Sequence, residues 1–122
     1  MDQRKYAAST LALRAVDSFL GHIAESDGAD QAVSGLSDHL SGFETAALPP
    51  VAHDAWRRIA RLLRTPADRP ISEQSVLAMR SWPQSRISEL IGLMRELHAV
   101  LAKIENDRLD DEIRDSIRHH YL

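Results

Sequence analysis

The chain contains no cysteine, which removes disulfides, thiolate metal sites and a cysteine nucleophile from consideration and fits a reducing compartment. Glycine is scarce and never paired. Gly21, Gly28, Gly35, Gly42 and Gly92 each stand alone, so there is no glycine loop to cradle a nucleotide and no nucleophile elbow. No apolar run is long enough for a signal peptide or a membrane span, and the opening residues, Met-Asp-Gln-Arg-Lys-Tyr, are polar. A cytoplasmic protein with no membrane partner is therefore expected. Neither sign of charge dominates: 18 acidic against 15 basic side chains leave a net charge of −3, which gives no global attraction to nucleic acid. Lysine is nearly missing, and thirteen arginines against two lysines are what a GC-rich bacterial coding sequence would produce.

What remains is helical patterning. The 122 residues match one domain, long enough to bury about two-thirds of the unfolded chain's surface without staples. From Pro83 onward Ile87, Leu90, Met94, Leu97, Leu101 and Ile104 alternate steps of three and four, which sets all six on one narrow face of a helix. A helix over 83–105 is about 34 Å long and serves as the central rod, with Pro83 in its first turn and Ser81 as its cap. After Ile104 the phase slips. Leu109, Ile113, Ile117 and Tyr121 step by four, and Asn106-Asp107 at the slip predicts a break or kink before a last helix. That last segment opens on Asp107, Asp110, Asp111, Glu112 and Asp115 and closes on Arg118, His119 and His120, the order the helix dipole favours.

Upstream, the periodicity predicts a first helix from Gln3 to Glu25 with Tyr6, Leu13, Val16, Leu20 and Ile23 inward. Asp30 is expected to cap a second helix whose apolar face is Val33, Leu36, Leu40, Phe43 and Ala47; its serine- and glycine-rich other face makes it the softest element. Leu48-Pro49-Pro50 turns into a third helix over 50–64, with Trp56 on its inward phase. A loop between two prolines follows, then a short fourth helix capped by Ser72, with Ile71 and Val76 placed as a hydrophobic staple. The expected fold is all-α, a compact bundle of five or six helices with a long C-terminal helix.

Two charged clusters are candidates for chemistry. Arg57, Arg58, Arg61 and Arg64 lie along the third helix, where forked guanidinium donors could grip phosphates or an acidic partner. The plainer expectation is a solvated face, salt-bridged to the acidic cluster at 105–115. Asp111, Asp115 and His119 share a helix face, yet the Glu-x-x-His pairs of a di-iron bundle are missing, and no metal or other cofactor is expected. His98 beside the apolar seam reads as a hydrogen-bonded boundary histidine, and His39 and His53 could meet across the 48–50 turn.

Arg114-Asp115-Ser116-Ile117-Arg118-His119-His120-Tyr121 resembles the Arg-polar-x-x-x-His-x-Tyr signature of HEPN ribonucleases. The resemblance covers those eight residues; it implies a dimeric helical bundle in which Arg114 and His119 would cleave RNA at the dimer interface. The residues themselves favour a non-enzymatic module, a regulator, adaptor or small subunit. It would bind a protein partner through helix packing, as a homodimer in the simplest case, because 87–104 and 109–121 carry two apolar stripes where a single rod needs one. Nucleic-acid binding through Arg57, Arg58, Arg61 and Arg64 is the alternative.

Overall fold

The computed structural model describes the backbone of residues 3–23, 28–40, 48–69 and 71–121, and the side chains of 10–23, 28, 30–40, 48–69 and 71–115. Five α-helices lie among the described residues: α1 (Gln3–Ile23), α2 (Ala29–His39), α3 (His53–Leu63), α4 (Glu73–Ala78) and α5 (Gln84–Tyr121). Single 3-10 turns at Pro50–Ala52 and Met79–Ser81 lead into α3 and out of α4, and no strand occurs among the described residues. The fold is all-α.

The rod is the first half of α5. Ile87, Leu90, Met94, Leu97 and Leu101 are fully buried, and they meet Val16 and Phe19 of α1, Leu36 of α2 and Trp56 and Ile59 of α3 in one apolar core. α1 runs antiparallel to α5. Thr10 Oγ1 donates to Glu105 Oε2 at 3.0 Å, and His98 Nε2 lies 3.1 Å from Asp17 Oδ1, so a seven-residue advance along α1 matches a seven-residue retreat along α5. His98 is thus the hydrogen-bonded boundary histidine that its place beside the seam implied. On α1 the buried line is Ala12, Val16, Phe19 and Ile23, with Leu13 and Leu20 only partly covered, a slightly rotated version of the expected face; the surroundings of Tyr6 lie outside the described residues.

Several local signals act as chemistry dictates. Ser72 Oγ accepts the Ser75 N–H at 3.1 Å and caps α4, while Ile71 and Val76 are both buried as the two ends of the staple. Trp56 is core, and its indole N–H donates to the Ala67 carbonyl at 3.2 Å, which pins the loop after α3.

Others are overruled. α2 begins after Gly28 with no side-chain cap, Asp30 sits inside its first turn, and the last α-helical residue is His39; Phe43 and Ala47 lie outside the described residues, as do Glu25 and Ser26 after α1. Gly35, expected on the outer face of α2, is buried, and an added Cβ there would stand 3.0 Å from Phe19 Cδ2 and 3.3 Å from His22 Cδ2. The missing side chain is what lets α1 and α2 close together. The Ser81 hydroxyl donates back to the Ala78 carbonyl at 3.0 Å instead of capping α5, whose first turn hangs on the Pro83 carbonyl. His39 packs edge-on against His22 with ring centroids 5.5 Å apart, and His53 Nε2 closes the turn on the Leu48 carbonyl at 2.9 Å, so each of this pair of histidines has its own partner.

No break occurs at Asn106-Asp107. α5 is continuous over 38 residues, about 57 Å at the helical rise. The reason lies in side chains that straddle the slip. Arg108 bonds back to Glu105 at 2.5 Å and forward to Glu112 at 2.6 Å, and Glu105 is tied across to Thr10. Charge pairs at i+3 and i+4 reward the helical form, which offsets the poor propensity of Asn and Asp.

Candidate functional site

The arginine helix is not a uniform basic face. Arg58 is clamped between Asp54 on its own helix at 3.0 Å and Glu96 on α5 at 3.1 Å, so its charge is spent on docking α3 against the rod. The expected bridges to 105–115 do not form among the described residues; the acidic groups Glu105 and Glu112 pair with Arg108 on their own helix instead. Arg57 and Arg61 are exposed, one turn apart, with no carboxylate partner among the described residues.

Arg64 leaves the helix altogether. It is the residue after α3, with φ 56° and ψ 42°, the left-handed region where glycine is usual. Its N–H donates to the Arg61 carbonyl at 3.2 Å and the Thr65 N–H to the Ala60 carbonyl at 3.0 Å, the paired bonds of a Schellman C-cap. The guanidinium is thereby turned out of line with Arg57 and Arg61. Of the four predicted binding arginines, Arg58 is paired, Arg64 is exposed but off the helix, and Arg57 and Arg61 remain as exposed cations on one helix.

The second candidate surface is the far part of α5. The antiparallel register sets Gln3, seven residues back from Thr10, level with Glu112, seven residues on from Glu105. Residues 113–121 therefore extend about 14 Å beyond the first residue of α1. Ile113 at the start of this extension and Leu109 one turn before it are 56% and 42% exposed, whereas every member of the seam from Ile87 to Leu101 is fully buried. Arg114 is exposed on the same stretch; the side chain of His119, its counterpart in the HEPN-like signature, lies outside the described residues.

At the root of this extension, Glu105 is held below the usual carboxylate range, chiefly by its bonds to Arg108 and with help from the Thr10 hydroxyl, against the opposing effect of burial. Arg108 is correspondingly raised. The group is a strap across α1 and α5. Both carboxylate oxygens of Glu105 are engaged, Oε1 by Arg108 and Oε2 by Arg108 and Thr10.

Among the described residues no group of three or more His, Asp or Glu side chains is placed to hold a metal ion, and no helix is long and apolar enough to cross a membrane. No protein-family model matches the chain, and neither a curated protein nor a solved structure is significantly similar to it.

Proposed function

We propose that the protein is a non-enzymatic, cytoplasmic interaction module that works as a homodimer, with the extension of α5 as its contact surface. The observation that carries this reading is the stretch from Leu109 onward, where Leu109 and Ile113 stay 42% and 56% exposed at four-residue spacing while the seam before them on the same helix is buried. Exposed aliphatic side chains at four-residue spacing on a helix are what another helix packs onto.

Charge favours a second copy as the occupant. The extension is acidic at its start, through Asp107, Asp110, Asp111 and Glu112, and basic at its end, through Arg118, His119 and His120. Two copies in antiparallel register, with Ile113 of one level with Ile117 of the other, set Asp111 level with His119 and Glu112 level with Arg118, at the cost of Asp115 level with its own copy at the centre. A parallel pairing would set like charge beside like. An isologous contact of this kind satisfies both copies at once and closes without forming a filament.

The test is solution mass by light scattering over a concentration series at low and high salt, with absorbance at 260 nm followed in parallel. A concentration-dependent dimer that Ile113→Asp converts to monomer is the expected result. A wild-type chain that stays monomeric at high concentration refutes self-association. If that monomer carries nucleic acid removable by salt, the exposed Arg57 and Arg61 become the working surface.

A further inference from the structure

A groove of about 540 Å³ lies where the end of α3, α4 and the turn into α5 meet. Its size is within the range of small-ligand sites. Leu62, Leu63 and Arg64 form one wall, Ser72, Gln74, Ser75 and Ala78 a second, and Ser81, Trp82, Pro83 and Arg86 the third. Two arginines line it and no acidic residue does, in a chain where acids outnumber bases.

Local structure fixes where both arginines stand. Arg64 occupies a left-handed backbone position that a non-glycine residue adopts only at a cost. Its guanidinium has no ion-pair or hydrogen-bond partner among the described residues. Arg86 sits in the first turn of a 38-residue helix whose first turn carries no acidic residue, so a cation stands at the positive end of the dipole, the reverse of the favoured arrangement. Arg86 is held there by the Leu62 carbonyl, which accepts from Nη2 at 3.2 Å, and by the Trp82 ring, whose centroid is 4.4 Å from Cζ. Those contacts use one edge and one face of the guanidinium, and its other N–H groups have no acceptor among the described residues. The Ser72 and Ser75 hydroxyls are hydrogen-bonded to each other at 2.8 Å on the α4 wall.

We infer that this groove binds a small phosphorylated molecule by its phosphoryl group. Two arginines on separate elements match the two negative charges of a phosphate monoester, and forked guanidinium donors with a serine hydroxyl suit its several oxygens. A monoanionic carboxylate would leave one cation uncompensated. The volume exceeds what a bare ion fills, so the rest of the molecule lies along Trp82 and the α4 wall. The inference does not depend on the dimer proposed above, because the groove lies at the opposite end of α5.

The experiment is a titration of the full chain with inorganic phosphate, sulfate, AMP and glucose 6-phosphate, followed by the NMR resonances of the Arg86 Nε and Trp82 indole N–H. Saturable shifts are expected, with at least one of the two organic phosphates binding more tightly than inorganic phosphate. Arg64→Gly should weaken that binding about tenfold. Glycine suits the left-handed backbone, so this loss would not come from unfolding; a thermal melt of the same variant verifies it. Arg95→Ser removes equal charge from the exposed side of α5 and should leave binding unchanged. An equal, non-saturating response to all four anions, unchanged binding in Arg64→Gly, or an equal loss in Arg95→Ser would each overturn the proposal.

Discussion

The two parts of α5 share a backbone and differ in almost everything else. From Gln84 to Ile104 the apolar residues alternate threes and fours and stay aligned with one side of the helix, and three other helices cover that side. From Leu109 to Tyr121 they step by four, which advances the stripe about 40° at each step around a helix of 3.6 residues per turn. A stripe that winds cannot stay against a straight neighbour of the same bundle. The lesson is that the spacing of apolar residues distinguishes a face that stays buried in the interior from one that turns toward solvent, even where the helix itself is unbroken.

The largest expected contrast comes from truncating each part. Leu97→Ala removes a fully buried side chain from the seam and should cost about 3 kcal/mol in urea denaturation. Leu109→Asp with Ile113→Asp should change protomer stability by no more than about 0.5 kcal/mol while removing dimerisation. If the double substitution destabilises as much as Leu97→Ala, the extension belongs to the core and the contrast fails.

A smaller effect of opposite sign sharpens the description of the α3 terminus. Arg64→Gly relieves the left-handed backbone and should raise stability by about 0.5–1 kcal/mol after glycine's own entropy cost, measured as a higher denaturation midpoint.

The smallest effect falls at the boundary between the two parts. Glu105 is depressed in the folded state, so its contribution is present above the ordinary glutamate value of about 4.3 and is lost as pH falls through its lower folded value. Glu105→Gln should lower the melting temperature by a few degrees at neutral pH. Melts of the two proteins should converge as the solution is made more acidic than that value. Parallel curves at every pH would mean that the strap from α1 to α5 does not depend on the carboxylate charge.

Helix positions and the central seam were legible in the sequence because a helix is a local, periodic object, and Ile87 to Leu101 repeat often enough to reveal its phase. The Ser72 cap, the staple at Ile71 and Val76 and the inward Trp56 were legible for the same reason. What escaped was decided by competition or by distance along the chain. Asn106-Asp107 carries a stop signal, but the pairs from Arg108 to Glu105 and Glu112 outweigh it, and which of two local tendencies wins depends on side-chain geometry. Arg64 continues the arginine spacing on paper, yet the C-cap rotates it away from Arg61. Arg58 finds Glu96, 38 residues away, a pairing no local pattern encodes. The groove joins Arg64 to Arg86 across three elements. The signal that could have marked it is Arg86 itself, a cation in a helix first turn where an acid is the usual choice.

The continuity of α5 has a mechanical consequence. A helix with no break is a lever, and one about 57 Å long turns a tilt of about 5° at its Pro83 end into a travel of about 5 Å at Tyr121. Had the chain broken at Asn106, that rotation would have been absorbed in the joint, and the tip would have been free of the bundle's orientation. As built, the direction in which the tip points is set by how α1, α2 and α3 grip the other end.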